Sequence, residues 1–379
     1  MGSLTEIKKQ HSAQSGTVNG ESLKNPEITG GRKMIYFNCD YNEGAHPAIL
    51  HKLLETNMEQ TIGYGEDAYC AQAAEIIQKL CKKEDAAVHF VVGGTQANLT
   101  VIDAALRPYQ GALCAVSGHI NVHETGAVEA IGHKILALPH RDGKITAAQV
   151  AEAMEKHLTD ASAEHTVQPK LVYISSPTEF GTLYTRAELE ALHETCRRYG
   201  LYLFLDGARM SYGLAASGND VTLPVLADCC DVFYLGGTKC GALFGEAIVI
   251  TNPELKQDFR YMIKQKGGML AKGRLLGIQF LELLKDDMKL YLDLAEHADR
   301  LADRIRAAIR KKGFELVCEN TTNQIFTVLP VDGVRALSEQ FALSPDQMVD
   351  ENHQMVRICT SWATKEEDVD CLIRAMEQM

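Results

Sequence analysis

Short apolar runs alternate with amphipathic stretches between about residues 86 and 250. The runs that read as strands are Ala87–Val92, Ala112–Val116, Lys134–Leu138, Lys170–Ser175, Tyr202–Leu205, Val232–Leu235 and Glu246–Ile250. Most are continuously apolar, the pattern of strands covered on both faces. Between several of them, apolar residues recur at helical spacing: Ala97–Leu106, His123–Ile131, Ala147–His157 and Arg186–Tyr199. This alternation predicts an α/β fold with a mostly parallel sheet of about seven strands. Ligands in such sheets bind beyond the carboxyl ends of the strands, so the residues that close each strand are the candidates for chemistry.

After about Asn252 the pattern changes. Helical spacing over Pro253–Gln265, Lys272–Lys285 and Leu290–Lys312 precedes two strand-like pieces, Gln324–Leu329 and Met355–Cys359, and a last helix around Lys365–Met379. A smaller α+β domain over 253–379 is therefore expected beside a large domain over 55–252, with the segment 33–54 joining the small one. Residues 1–32 are polar, lack the apolar centre of a signal peptide, and read as a flexible tail. No apolar run reaches the roughly 18 residues of a membrane span.

Composition narrows the function classes. The 379 residues are 46% hydrophobic and 23% charged, ordinary for a globular enzyme. A net charge of −12 argues against nucleic acid or a membrane surface as partner, and an anionic substrate would need a local basic pocket. Eleven cysteines, an odd number without a C-x-x-C pair, read as reduced thiols in a cytoplasmic protein.

Two strand ends stand out. Asp231-Val-Phe-Tyr-Leu-Gly-Gly-Thr238-Lys239 and Leu201-Tyr-Leu-Phe-Leu-Asp206-Gly-Ala-Arg209 each run from apolar residues into small ones and then a charge. A lysine desolvated there has a lowered pKa, and its free amine attacks carbonyls. An aspartate on a nearby strand end can keep a pyridine nitrogen protonated. Together they are the minimum equipment for pyridoxal 5'-phosphate (PLP). Either alone reads more readily as a solvated strand-end charge.

His89-Phe-Val-Val-Gly93-Gly94-Thr95-Gln96 reads as strand, glycine turn and helix start. Such a turn suits a lone phosphate monoester better than a dinucleotide, or serves geometry alone. Ser117-Gly-His119 ends another strand, and His119 there can stack on a ring or move protons. His119 and His123 at i and i+4, with Glu124, also suggest a weaker metal-hydrolase reading; a catalytically inactive binding protein is a third. Arg209 offers a fork for a carboxylate or cofactor oxygen, and Arg357 lies among apolar neighbours, where a buried cation needs an anion.

These motifs, with Cys39-Asp40-Tyr41, Gly63-Tyr64-Gly65-Glu66-Asp67, Pro177-Thr178-Glu179-Phe-Gly181, Lys264-Gln-Lys-Gly-Gly and Arg357-Ile-Cys-Thr-Ser-Trp362, resemble the threonine aldolase and β-eliminating lyase family of fold-type-I PLP enzymes, over roughly residues 33 to 379. The resemblance implies that Lys239 carries PLP, with Thr238 beside it. It puts Asp206 on the pyridine nitrogen, Arg209 on the cofactor oxygen and substrate carboxylate, and Gly93, Gly94 and Thr95 on the phosphate. His119 stacks on the ring and Arg357 clamps the substrate carboxylate. His119 and Glu124 are the candidates for proton handling. No metal enters this reading. It also implies a homodimer or homotetramer with interfacial sites, acting on L-β-hydroxy-α-amino acids by aldol cleavage; β-elimination, racemisation and transamination use the same machinery. Two positions depart from the family pattern. Cys39 replaces the serine that precedes Asp40, altering an expected substrate contact. Glu179 stands in the loop where many members carry a histidine linked to the substrate β-hydroxyl.

Overall fold

Successive residues of each central strand reach opposite faces of one sheet, and both faces are covered. Leu113, Val172, Leu203, Phe233 and Val249 enter one core, while Ala112, Leu171, Phe204, Val232 and Ile248 enter the other. That two-sided burial explains the unbroken apolar runs. The computed structural model describes residues 34–379, so the expected tail over 1–32 lies outside the described residues.

The large sheet has seven strands in the order Ala87–Val91, Glu246–Ile250, Val232–Gly236, Tyr202–Asp206, Gln168–Ser175, Gln110–Ala115 and Lys134–Leu138. Only Glu246–Ile250 runs antiparallel to its neighbours. Helices between the strands are fixed by local chemistry. Arg186–Tyr199 begins with a capping box of Thr185 and Glu188 and ends on left-handed Gly200. Ala147–Thr159 begins with the same device, built from Thr146 and Gln149.

Four strands form a second, antiparallel sheet in the order Ser344–Met348, His353–Cys359, Gln324–Pro330 and Glu315–Leu316. Its core gathers Ile325, Val356 and Ile358 with Leu301 and Ile305 of the long helical segment Arg274–Lys312 and Val369 and Leu372 of Glu366–Glu377. The first strand among the described residues, Ile35–Tyr36, pairs in parallel with Phe341–Ala342.

Three expected helices take another form. The stretch His123–Ile131 is broken, because Thr125 and Gly126 adopt φ of 53° and 70°; short helices His119–Val122 and Ala127–Ala130 flank the break. His119 and His123 therefore do not share the face of a continuing helix. Pro253–Gln265 divides at Asp258, φ 57°, into Pro253–Lys256 and Phe259–Gln265. Arg274–Lys312 is interrupted by non-helical residues from Lys285 to Met288, close to the gap the sequence pattern shows. Helices Pro47–Glu55, Ala68–Cys81, Met210–Ala215, Leu223–Cys229 and Val331–Ser338 were not anticipated. No helix among the described residues is long and apolar enough to cross a membrane.

Candidate active site

The site is built where two parallel strands end side by side. Tyr202–Asp206 ends on Asp206, and Val232–Gly236 is followed by Gly237-Thr238-Lys239. Gly207 lets the two ends touch: a Cβ there would lie 1.9 Å from the Tyr234 carbonyl oxygen. Gly236 N donates to Gly207 O at 2.9 Å. Asp206 and Lys239 thereby reach one cleft of about 310 Å³, within the range of small-ligand sites. Gly93, Gly94, Thr95, His119, Glu179, Arg209 and Thr238 line the same cleft, as do Tyr41 and Glu246.

Asp206 is 5% exposed yet strongly held. Its Oδ2 accepts from Tyr173 Oη at 2.6 Å and from Asn98 Nδ2 at 3.0 Å, and its Oδ1 accepts from Ala208 N at 3.0 Å. Burial alone would raise its pKa, but His119 and the Tyr173 hydrogen bond prevail and hold it below the usual aspartate value. Lys239 is displaced in the opposite sense for a cation: desolvation first, then neighbouring Arg209, lower its pKa against the pull of Asp40, Asp206 and Glu246. The net shift is toward the neutral, nucleophilic amine.

His119 follows the Gln110–Ala115 strand, and its Nδ1 lies 2.7 Å from Glu124 Oε1. Asn98 Nδ2 also donates to that oxygen at 2.8 Å, so one amide ties Glu124 to Asp206. Glu124 is 6% exposed and does not line the cleft; it is neither a surface carboxylate nor a group in direct reach of a substrate. Among the described residues no group of three or more His, Cys, Asp or Glu is arranged to hold a metal, which removes the geometric basis of the hydrolase reading.

Glu179 lines the cleft, and its Oε1 accepts from Ser175 Oγ at 2.7 Å and from His119 N at 2.9 Å. Desolvation raises its pKa, outweighing these bonds. Arg209 caps the start of Met210–Ala215 and pairs with Asp40 at both ends of its fork, Nε to Oδ2 at 2.6 Å and Nη2 to Oδ1 at 3.0 Å. Asp40, fully buried, and Cys39, whose thiol donates to Asn42 Oδ1 at 3.1 Å, lie behind the cleft and not on its wall. Asp40 therefore meets Arg209 where a substrate contact was expected. Arg357 also lies off the wall. Its Nη2 donates to Asn38 O at 3.1 Å, its Nε is buried without a partner, and no carboxylate pairs with it among the described residues.

Glu246, Asn98, Tyr173 and Tyr41 have no site role in the reading of the sequence. Only Glu246 carried a signal there, as a charge opening an otherwise apolar buried strand.

The residues fit PLP. The helix Gly94–Ala105 starts at Gly93 without any side-chain cap, leaving its first N–H groups for an anion at the cleft wall. Asp206 retains acceptor capacity beyond its three bonds, and desolvation shifts Lys239 toward the free amine.

The comparisons with known proteins agree with that chemistry. The sequence model of the family described as beta-eliminating lyase matches residues 40–339. A low specificity L-threonine aldolase of Pseudomonas aeruginosa is 32% identical over 304 residues, 79% of this chain and 86% of that protein. The solved structure of a Leishmania major threonine aldolase is 42% identical, with a TM-score of 0.88, and the match covers 91% of this chain and 99% of that one. An aspartate aminotransferase of Thermus thermophilus, 15% identical with a TM-score of 0.69 over 92% of each chain, shares the fold. The chain belongs to the beta-eliminating lyase family and is a PLP-dependent lyase with the fold-type-I architecture.

Proposed function

We propose that the protein cleaves L-β-hydroxy-α-amino acids of the threonine and allo-threonine type to glycine and an aldehyde. The observation that carries this reading is the placement of Lys239, Asp206 and Glu179 around one cleft. The threonine aldolases of Pseudomonas and Leishmania support it.

PLP, when bound, supplies the sink for the electron pair released at the substrate Cα. Lys239, with Thr238 beside it, would hold its carbonyl carbon, and Gly93, Gly94 and Thr95 would hold its phosphate. Asp206 would keep the ring nitrogen protonated, and His119, braced by Glu124, would lie against the ring. Arg209, aimed by Asp40, and Arg357 bind the substrate carboxylate; Cys39 shapes the segment behind them. Glu179 takes the β-hydroxyl proton as the Cα–Cβ bond breaks, a task suited to a carboxylate whose pKa is raised by burial. Residues 55–252 act as the cofactor-holding domain and 253–379 as the smaller one. Exposed Tyr41 and Val92 at the cleft, with Leu50 and Leu54 on Pro47–Glu55, support a homodimer or homotetramer with clefts at an interface. The eleven cysteines are all unpaired, which supports a cytoplasmic location.

An aldehyde-coupled assay with threonine, allo-threonine and phenylserine tests the reaction. It is run beside an ammonia and keto-acid assay with serine. Glycine and aldehyde from the first group are expected; keto acid and ammonia alone would make the protein a β-eliminating enzyme instead.

A further inference from the structure

Glu246 opens the one antiparallel strand of the large sheet, with Val91 and Gly236 opposite it. It is 3% exposed, lines the cleft, and forms no ion pair within 4 Å among the described residues. Its two oxygens are spent on the residues that precede Lys239. Oε1 accepts from Thr238 Oγ1 at 2.8 Å and Oε2 from Gly237 N at 3.1 Å. Thr238 Oγ1 in turn accepts from Gly245 N at 3.0 Å. The same turn is tied along the backbone, Gly237 N and Thr238 N donating to Gly245 O at 2.9 and 3.2 Å.

We propose that Glu246 is a positioning residue for Lys239: its carboxyl fixes the Gly237–Thr238 segment that presents the lysine and sets the charge of the lysine nitrogen. The groups that face it are Lys239 and Cys240 from the turn, Asp206 from the next strand end but one, Tyr234 from the adjacent strand and Tyr291 from the long helix. Lys239 is the sole cation of that set. Burial pushes the Glu246 carboxyl up, while the Thr238 bond and Lys239 pull it down; burial pushes Lys239 down, and Glu246 is one of the carboxyls that pull it back. The two therefore titrate as a pair, the charge on one favouring the charge on the other.

The proposal rests on Lys239 as the point where PLP is held. The test follows the visible absorbance of the holoenzyme against pH for the parent, Glu246→Gln and Glu246→Asp. Glu246→Gln preserves shape and removes the charge, so the midpoint of the Lys239–PLP chromophore should fall by about one pH unit, with one PLP per chain retained. Glu246→Asp draws the carboxyl back and should fall between parent and Glu246→Gln; it decides alone if Glu246→Gln does not fold. A midpoint that stays at the parent value in the folded variant overturns the proposal. Borohydride fixation with peptide mapping keeps the two failures apart. PLP fixed on another lysine ends the cofactor assignment and this proposal with it, whereas PLP on Lys239 with an unmoved midpoint ends this proposal alone.

Discussion

Asp206 remains ionised at 5% exposure because three donors converge on it, from Tyr173, Asn98 and the Ala208 peptide. Asp206→Asn preserves shape but cannot keep a pyridine nitrogen protonated, so PLP should stay bound while kcat falls on the order of 10²-fold or more. Tyr173→Phe removes one charge-assisted bond and should lower kcat by roughly tenfold, with the parent's PLP content. Rates equal to the parent in both variants would make the network structural. Arg357 presents the complementary case, a buried Nε with no partner. Arg357→Ala should raise KM for amino acids, an affinity loss of about 2–5 kcal/mol, at unchanged PLP content. A normal KM with a lowered melting temperature would assign Arg357 to the fold alone.

At the scale of elements, sequence pattern was most informative where both sheet faces are buried. Lys134–Leu138 and Glu246–Ile250 coincide with their apolar runs, and the helix Arg186–Tyr199 is delimited by its own caps. The helix Ala68–Cys81 escaped because Ala and Cys make up most of its buried stripe, Cys70, Ala73, Ile77 and Cys81, which is a weak apolar signal. Small residues are needed there: a Cβ on Gly277 would come 2.6 Å from Cys70 N. The site divides in the same way. Strand-end residues were legible, since the fold class fixes where they point; Asn98 and Tyr173 were not, because their partners are 108 and 33 residues away. Gly207 gives a test of the close strand ends. Gly207→Ala places a Cβ 1.9 Å from Tyr234 O, whereas a Cβ at Gly93 meets nothing within 4 Å. Gly207→Ala should lose roughly 3 kcal/mol or more of stability, and Gly93→Ala should melt close to the parent. Calorimetry of the two without PLP checks this; equal melting temperatures would contradict the strand contact.

At the scale of the whole molecule, one buried ion pair joins three parts of the chain. Asp40 belongs to the N-terminal segment, Arg209 follows the end of a central strand of the large sheet, and Asn323 precedes the first residue of a strand in the small sheet. Asp40 Oδ2 accepts from Arg209 Nε at 2.6 Å and from Asn323 Nδ2 at 2.8 Å, and Asn323 Nδ2 also donates to Thr360 O at 2.9 Å. Burial by itself would raise the Asp40 pKa; Arg209 and Lys239 reverse this and hold the carboxyl below its usual value. A carboxyl depressed on folding binds fewer protons in the native state than in the unfolded chain. Its stabilisation is therefore complete above the ordinary aspartate pKa and is lost as pH falls through the lower, folded value. Asp40→Asn leaves the buried Arg209 guanidinium without its anion, which costs about 3–5 kcal/mol. The melting temperature at neutral pH should drop accordingly. The gap between parent and variant should then narrow in acid, because protonation removes the same charge from the parent. Parallel melting curves recorded from neutral pH to about pH 3, below the ordinary aspartate pKa, measure that gap. A gap that is constant across the range would mean that the loss comes from packing or from the Asn323 bond, and that the charge of Asp40 does not hold the three parts together.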